Sequence, residues 1–209
     1  MTAKLGPLVD RAATVLGAPL QGWQGRPRAD VGVWLALLEE WNARIDLTAA
    51  RSAEELVDLM LADALVLGAR IEPAARVIDV GTGAGAPGLA LALLRPDLRV
   101  TLVEPNGKRA SFLRTVLGAV VRTDIVLHRA RAEAFAGRRA WDVALSRATL
   151  PPPAWLDLAT TLAAPGGSVW LLLTKDAPPE HERARLAETI PYTWPLTGAG
   201  RTAARYVIV

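Results

Sequence analysis

The chain has 209 residues, 51% of them hydrophobic and none of them cysteine, which excludes disorder, disulfides and thiol catalysis and gives one ordinary domain a buried core. No apolar run reaches the roughly 18 residues of a membrane span, and the start around Lys4, Asp10 and Arg11 is unlike a signal peptide, so a cytoplasmic protein with no membrane partner is expected. The net charge of +3 hides an asymmetry: residues 1–75 carry 7 Lys and Arg against 10 Asp and Glu, whereas residues 95–147 carry 11 against 5. Residues 4–17 read as a short helix ending at Gly17, and Pro19, Gly22, Gly25 and Pro27 make 18–29 a loop. Asp30 can cap a second helix, on which Trp34 and Trp41 are seven apart on one apolar face, as core residues should be. Ser52 and Glu55 form a capping box for a third helix over 53–70.

From residue 75 onward, strand patterns alternate with helix patterns. Strands at 76–80, 99–103, 124–128, 141–146 and 168–173 precede helices at 87–94, 107–119, 132–136, 153–163 and 179–188. Such alternation specifies a parallel α/β sheet wound on both faces. The tail changes character: 190–196 and 205–209 are extended, and the link between them is too short for a parallel crossover, so an antiparallel hairpin is expected. The expected organisation is a helical extension over 1–72 and a Rossmann-like domain over 73–209, packed as one unit.

The most informative stretch is Val77-Ile-Asp-Val-Gly-Thr-Gly-Ala-Gly-Ala-Pro-Gly88. It reads as a strand buried on both faces, a glycine loop and the start of a helix, with Pro87 suited to the first turn. No Gly-Lys-Ser/Thr ending is present, which excludes a phosphate-clamping P-loop. The spacing is G-x-G-x-G, not the dinucleotide G-x-G-x-x-G, and Asp79 stands before the first glycine. A carboxylate there repels a pyrophosphate and suits a cation, which fits S-adenosylmethionine: an ammonium, a ribose and no phosphate. A purely structural turn would use the same glycines. The next strand ends in Glu104, 23 positions after Gly81, near the roughly 20 expected of an acid that takes a ribose hydroxyl pair. A solvated strand-end acid is the alternative for Glu104. Asn106 can cap the helix that follows.

With these motifs in place, the chain resembles the RsmG (GidB) family, which methylates guanine N7 in small-subunit (16S) ribosomal RNA. The resemblance rests on Trp41-Asn-Ala-Arg-Ile-Asp-Leu-Thr48, Asp79 to Gly88, Gly107-Lys-Arg-Ala-Ser-Phe-Leu113, Arg131-Ala-Glu133 and Ser146-Arg-Ala148, with weaker matches at Lys175 and Arg205. It implies a class I S-adenosylmethionine-dependent methyltransferase sheet of seven strands, the last antiparallel. It further implies that Gly81, Gly83 and Ala86, with Asp79, hold the methionine part of the cofactor, that Glu104 lies near the ribose, and that Ala132 and Glu133 contact the adenine side. Arg147 would sit between cofactor and substrate. No metal is implied, the partner would be ribosomal RNA or the small ribosomal subunit, and a monomer is expected. Three departures fall on the substrate side. Met60 and Ala64 replace the family's histidine and serine around Asp63, Asp46 replaces an asparagine, and Thr174-Lys-Asp176 lacks the glycine that follows the family's lysine. They keep open a related methyltransferase acting on a different RNA or a small molecule. An inactive cofactor-binding module is the third reading, against which the intact loop, Glu104 and Arg147 stand.

Methylation of N7 needs no general base, because the nitrogen is a lone-pair acceptor without a proton. The two histidines, His128 and His181, lie outside every motif. Arg147, Lys175 and Asn42 are the candidates for the catalytic and substrate side: arginine can stack on a base or grip a phosphate with two donors. The bland alternatives are a strand-end ion pair for Arg147, a solvated loop lysine for Lys175 and a turn or cap for Asn42. The basic middle is the footprint of a polyanion. It is equally a solvated face in a chain whose 24 cations include 21 arginines.

Overall fold

The computed structural model describes residues 4–16 and 25–209. Its strands are β1 (Arg76–Val80), β2 (Arg99–Val103), β3 (Val126–His128), β4 (Trp141–Ser146), β5 (Ala163–Leu173), β6 (Ala184–Thr193) and β7 (Gly200–Ile208). They form one seven-stranded sheet in the order β3-β2-β1-β4-β5-β7-β6. β1 to β5 are parallel, and β7 runs antiparallel between β5 and β6. β1 is central, and its side chains alternate between two cores. Val77 packs with α1 (Leu5–Val15), α2 (Arg26–Asn42), α5 (Gly88–Leu94) and α6 (Gly107–Ala119), whereas Ile78 and Val80 pack on the face covered by α7 (Pro152–Leu162). This is why the strand reads as an unbroken apolar run apart from Asp79. The first core runs without a break from Leu5 to Ala203, so the prefixed helices share it with the sheet.

Several boundaries differ from expectation for physical reasons. α2 starts at Arg26 behind Gly25, with Pro27 in its first turn, where the fixed φ of proline suits a helix start. Asp30 is therefore not a cap but an i+4 partner of Arg26 at 3.2 Å. Gly17, Pro19 and Gly22, read as a helix stop and loop, lie outside the described residues. Trp34 is fully buried, but Trp41 at the end of α2 is only partly so, with its ring edge-on to Phe112 at 5.7 Å. The third helix has the Ser52 half of its expected capping box, Glu55 N–H to Ser52 Oγ at 3.1 Å, whereas Glu55 Oε2 reaches one residue past the cap to the Arg51 N–H at 2.8 Å. It then departs from α geometry: α3 (Ala53–Val57) widens into a π turn over Asp58–Ala62 before α4 (Asp63–Gly68).

The largest correction concerns 179–188, expected to be helical. Residues 184–193 are β6, paired residue by residue with β7 apart from a bulge between Leu186 and Glu188. Ala-Arg-Leu-Ala-Glu is good helix-forming sequence, but the exposed strand β7 offers a full ladder of backbone partners, and tertiary pairing overrides local propensity. The antiparallel hairpin is as expected, with longer arms than the tail pattern suggested.

Candidate cofactor and substrate site

β1 carries the chain to the carboxyl edge of the sheet, where parallel α/β folds place their ligands. There Gly81, Gly83 and Gly85 turn with φ of +69°, +61° and +111°, a backbone that side chains rarely tolerate. A Cβ at Gly81 would lie 2.2 Å from Thr149 Oγ1, and one at Gly88 would lie 2.4 Å from Asp79 Cβ, so both are packed against neighbours. A Cβ at Gly83 would meet only the Gly81 carbonyl oxygen, at 3.9 Å. Open space in front of Gly83 is the cradle a ligand needs.

The loop is braced from three directions. Trp34 Nε1–H donates to the Ala84 carbonyl at 2.9 Å in a buried contact from α2. Asp79 Oδ2 accepts the Gly88 N–H at 2.8 Å, and Glu104 Oε2 accepts the Gly83 N–H at 2.9 Å. Glu104 is buried, and its other oxygen accepts the Asn106 N–H at 2.8 Å. A carboxylate has about four lone-pair positions, so two remain for a hydroxyl pair. Asp79 is wholly buried, and burial pushes its carboxyl up to about 6, against the weaker pull of the Thr82 side chain, the Gly88 amide and the Arg147 charge. Asp79 is not in the wall of the cavity in front of the loop; its bond to the Gly88 amide ties the loop to the start of α5.

That cavity has a volume of about 530 Å³, within the range of small-molecule sites. Its wall comprises Gly81 to Ala84 and Ala86 of the loop, Glu104 and Pro105, the Leu47–Ala49 segment, Leu59 and Met60, Arg109 and the Arg147–Thr149 turn after β4. Ser146 Oγ–H and Thr149 Oγ1–H both donate to the Val80 carbonyl, at 2.8 and 3.1 Å, which ties that turn to the end of β1. Arg147 Nη1 donates to Asp63 Oδ2 at 3.0 Å and to the Leu59 carbonyl inside the π turn. Asp63 Oδ1 in turn accepts from Tyr192 Oη at 2.7 Å and Trp194 Nε1 at 3.3 Å. Burial and the Asp63 charge raise the Tyr192 hydroxyl far above its ordinary range, so it stays a donor. One turn earlier Asp58, also buried, accepts the Leu196 and Thr197 amides and the Thr197 hydroxyl. Two buried acids thus fasten the third helix to the β6–β7 hairpin, and through Asp63 the hairpin reaches Arg147. Asp63 was not among the expected site residues; its signals were its place as the retained acid between the Met60 and Ala64 departures and as an acid inside the otherwise apolar run from Leu59 to Leu67.

Of the other expected residues, Gly81, Gly83, Ala86, Glu104 and Arg147 come together around the cavity. Asn42 does not reach it; its Oδ1 accepts the Leu47 and Thr48 amides at 2.9 and 3.0 Å, which shapes the segment that forms one wall. Lys175 is exposed beyond β5 and is not part of the wall. Ala132 and Glu133 open a 3-10 turn (Ala132–Phe135) after β3, also outside the wall. Of the departures from the family pattern, Met60 lines the cavity, Ala64 is buried away from it, and Asp46 and Thr174 to Asp176 are exposed. His128 packs against the Phe135 ring at 5.1 Å, and His181 lies 3.1 Å from Asp157, so neither enters the site. Among the described residues no group of three or more His, Cys, Asp and Glu is placed to hold a metal, and no helix is long and apolar enough to cross a membrane.

Comparison with known proteins points the same way. Residues 29–194 match the family described as rRNA small subunit methyltransferase G (GidB). The chain is 37% identical to ribosomal RNA small subunit methyltransferase G of Xanthomonas axonopodis pv. citri, across 99% of this chain and 97% of that protein. It is 40% identical to the protein of the same name in Halorhodospira halophila, across 75% and 73%. Among solved structures, the N-methyltransferase NodS of Bradyrhizobium japonicum in complex with S-adenosyl-L-homocysteine superposes with a TM-score of 0.58 at 14% identity, covering 84% of this chain and 98% of that one. A predicted O-methyltransferase from Agrobacterium tumefaciens superposes with a TM-score of 0.57 at 22% identity, covering 69% and 80%. At such identities these two likenesses concern the fold.

Proposed function

This chain belongs to the rRNA small subunit methyltransferase G (GidB) family, and on that premise we propose that it methylates N7 of a guanine in small-subunit ribosomal RNA with S-adenosylmethionine. The observation that carries the reading is the cradle at the end of β1: open space before Gly83, with Glu104 fixed beside it by the Gly83 amide and two lone-pair positions to spare. A nucleoside with a ribose fits that arrangement. When bound, S-adenosylmethionine supplies a methyl group already activated on its sulfonium.

The chain's own work is placement. The Gly81–Ala86 loop would hold the methionine end, and Glu104 would take the ribose hydroxyls. Arg147 would hold the purine or its phosphate so that the N7 lone pair lies in line with the methyl. As the methyl moves, positive charge passes from the sulfonium to the purine, so an uncompensated cation beside the purine would oppose the reaction. Asp63 meets this requirement, because it balances the Arg147 charge while leaving the rest of the guanidinium fork free to position the base. No proton leaves N7, so the transfer asks no side chain of the cavity wall to act as a base.

The test is to map methylated guanines in ribosomal RNA from cells with and without the protein, alongside transfer by the purified protein to small-subunit RNA. Loss of one 7-methylguanine in the deletion strain, restored by the gene, is expected. Identical maps would overturn the proposal. A second reading, a different RNA or a small-molecule acceptor, is favoured by Met60, which stands in the cavity wall where the resembling family carries a histidine. Identical maps together with intact cofactor binding would select it.

A further inference from the structure

The parallel sheet divides the basic middle of the chain in two. Arg99, Arg138 and Arg139 precede or open strands, and so lie at the amino edge of the sheet, away from the cavity. Arg95 and Arg122 are there too, each paired with its own aspartate, Asp97 or Asp124, at 2.7 Å. Lys108, Arg109, Arg129, Arg131 and Arg147 follow β2, β3 and β4, and so gather at the carboxyl edge around the cavity. Of the eleven cations over 95–147, five are thus on the wrong side for a substrate, five are gathered at the edge where chemistry would occur, and Arg114 is within α6.

Next to the cavity is a second concavity of about 730 Å³ between the end of α2 and the first turns of α6. Its wall includes Trp41, Arg44, Ile45, Lys108, Ser111 and Arg129. The two hollows are continuous along the chain. Ile45 lines one and Leu47 the other, and Pro105 and Arg109 of the cavity flank Asn106, Gly107 and Lys108 of the groove. Trp41 is half-buried, and Phe112 meets it edge-on at 5.7 Å, as a partly covered aromatic platform would be. Arg129 crosses Gly107 so closely that a Cβ there would lie 3.1 Å from its Cζ; glycine at 107 leaves the guanidinium its place in the groove. Among the described residues neither Lys108 nor Arg129 has an acidic partner, and Arg44 has only a long, exposed contact with Glu40 at 3.8 Å.

We propose that this groove seats an unpaired RNA nucleotide flanking the one that enters the cavity, with its base against Trp41 and its phosphates on Lys108 and Arg129. An aromatic face among unpaired cations is the combination single-stranded RNA recognises, since every base can stack and every phosphate is an anion. A folded protein partner would need a larger apolar area than one partly covered tryptophan offers. The inference rests on the RNA methyltransferase reading and names the surface that reading leaves open.

The experiment compares three proteins with wild type: Lys108→Glu/Arg129→Glu, Arg138→Glu/Arg139→Glu and Trp41→Leu. Each is titrated with a transcript of the small-subunit ribosomal RNA over a range of salt, assayed for methyl transfer to it, and titrated with S-adenosylmethionine. The groove double variant should bind RNA at least about tenfold more weakly, and its log–log salt dependence should flatten by about 1.4, the change in slope when two phosphates of a single strand are no longer neutralised. Its cofactor affinity should match wild type within about twofold, since neither side chain is part of the cavity wall. The Arg138/Arg139 double variant, on the opposite edge, should keep RNA affinity and turnover. Trp41→Leu should weaken RNA binding with the salt slope unchanged, which simple unfolding would not produce. If wild type methylates the transcript and the groove variant does so with the same KM, or if both double variants lose RNA equally, the groove assignment is overturned alone. If wild type itself neither binds nor methylates the transcript, the RNA reading falls and takes this assignment with it.

Discussion

Replacing Asp63 by alanine removes one acceptor from three donors at once. The Asp63 side chain is 3% exposed and that of Arg147 19%, so the guanidinium cannot simply exchange its partner for bulk water. Breaking a buried ion pair by removing one member costs about 3–5 kcal/mol. The Tyr192 hydroxyl and Trp194 N–H would also be left without their acceptor, at about 1–3 kcal/mol each, although these losses overlap as the network relaxes. A total of at least about 4 kcal/mol is expected, a large share of the 5–15 kcal/mol typical of a domain. Asp63→Asn keeps the shape and an acceptor for Tyr192 but not the charge, and about half that loss is expected. The assay is urea unfolding at pH 7, read by fluorescence, with the slope m compared between variants to check that the transition stays two-state. Single-turnover methyl transfer by Asp63→Asn supplies the functional arm: the rate should fall at least tenfold while the cofactor dissociation constant changes little, since Asp63 acts on Arg147 and not on the glycine loop. A loss below about 1 kcal/mol in Asp63→Ala would refute the reasoning, because the network would then be no tighter than a surface ion pair.

Gly83→Val should abolish cofactor binding with a smaller effect on folding: its side chain would project into the cradle, and φ of +61° adds strain, a split that calorimetry and thermal unfolding would show. Arg147→Lys should bind cofactor nearly as well as wild type yet lose at least about tenfold in turnover, because one ammonium cannot hold Asp63 and also present a fork; normal turnover in the lysine variant would remove positioning from the mechanism. Asp79 gives a pH dependence of known sign. Its folded pKa is raised from 3.8 to about 6, so its contribution to stability is full below pH 3.8 and is lost as pH rises through 6. Wild type should therefore lose about 3 kcal/mol relative to Asp79→Asn between those pH values, and parallel stability curves for the two proteins would contradict the burial argument. Turnover should stay level between about pH 7 and 8.5, and a bell-shaped profile there would point to base-assisted chemistry on another atom.

Much of this protein was legible in its sequence because the relevant interactions are local. Three strands match residue for residue, β1, β2 and β4, and α6 does as well, because an apolar run closed by a turn, or a cap such as Asn106 on the Lys108 and Arg109 amides, is decided within a few residues. The glycine loop and the reach to Glu104 were legible for the same reason: a βαβ unit fixes the distance between two strand ends. What tertiary structure decided lies in contacts across long stretches of chain. The expected helix over 179–188 became β6 because β7, not the segment's own propensity, supplied its backbone partners. The basic surplus was countable, but only strand direction could sort its arginines between the two edges of the sheet. Asp63 meets Arg147 84 positions away and Tyr192 129 positions away. No periodicity encodes such a meeting: a buried carboxylate is held wherever the fold brings donors to it, and that place exists only once helix, sheet and hairpin have packed.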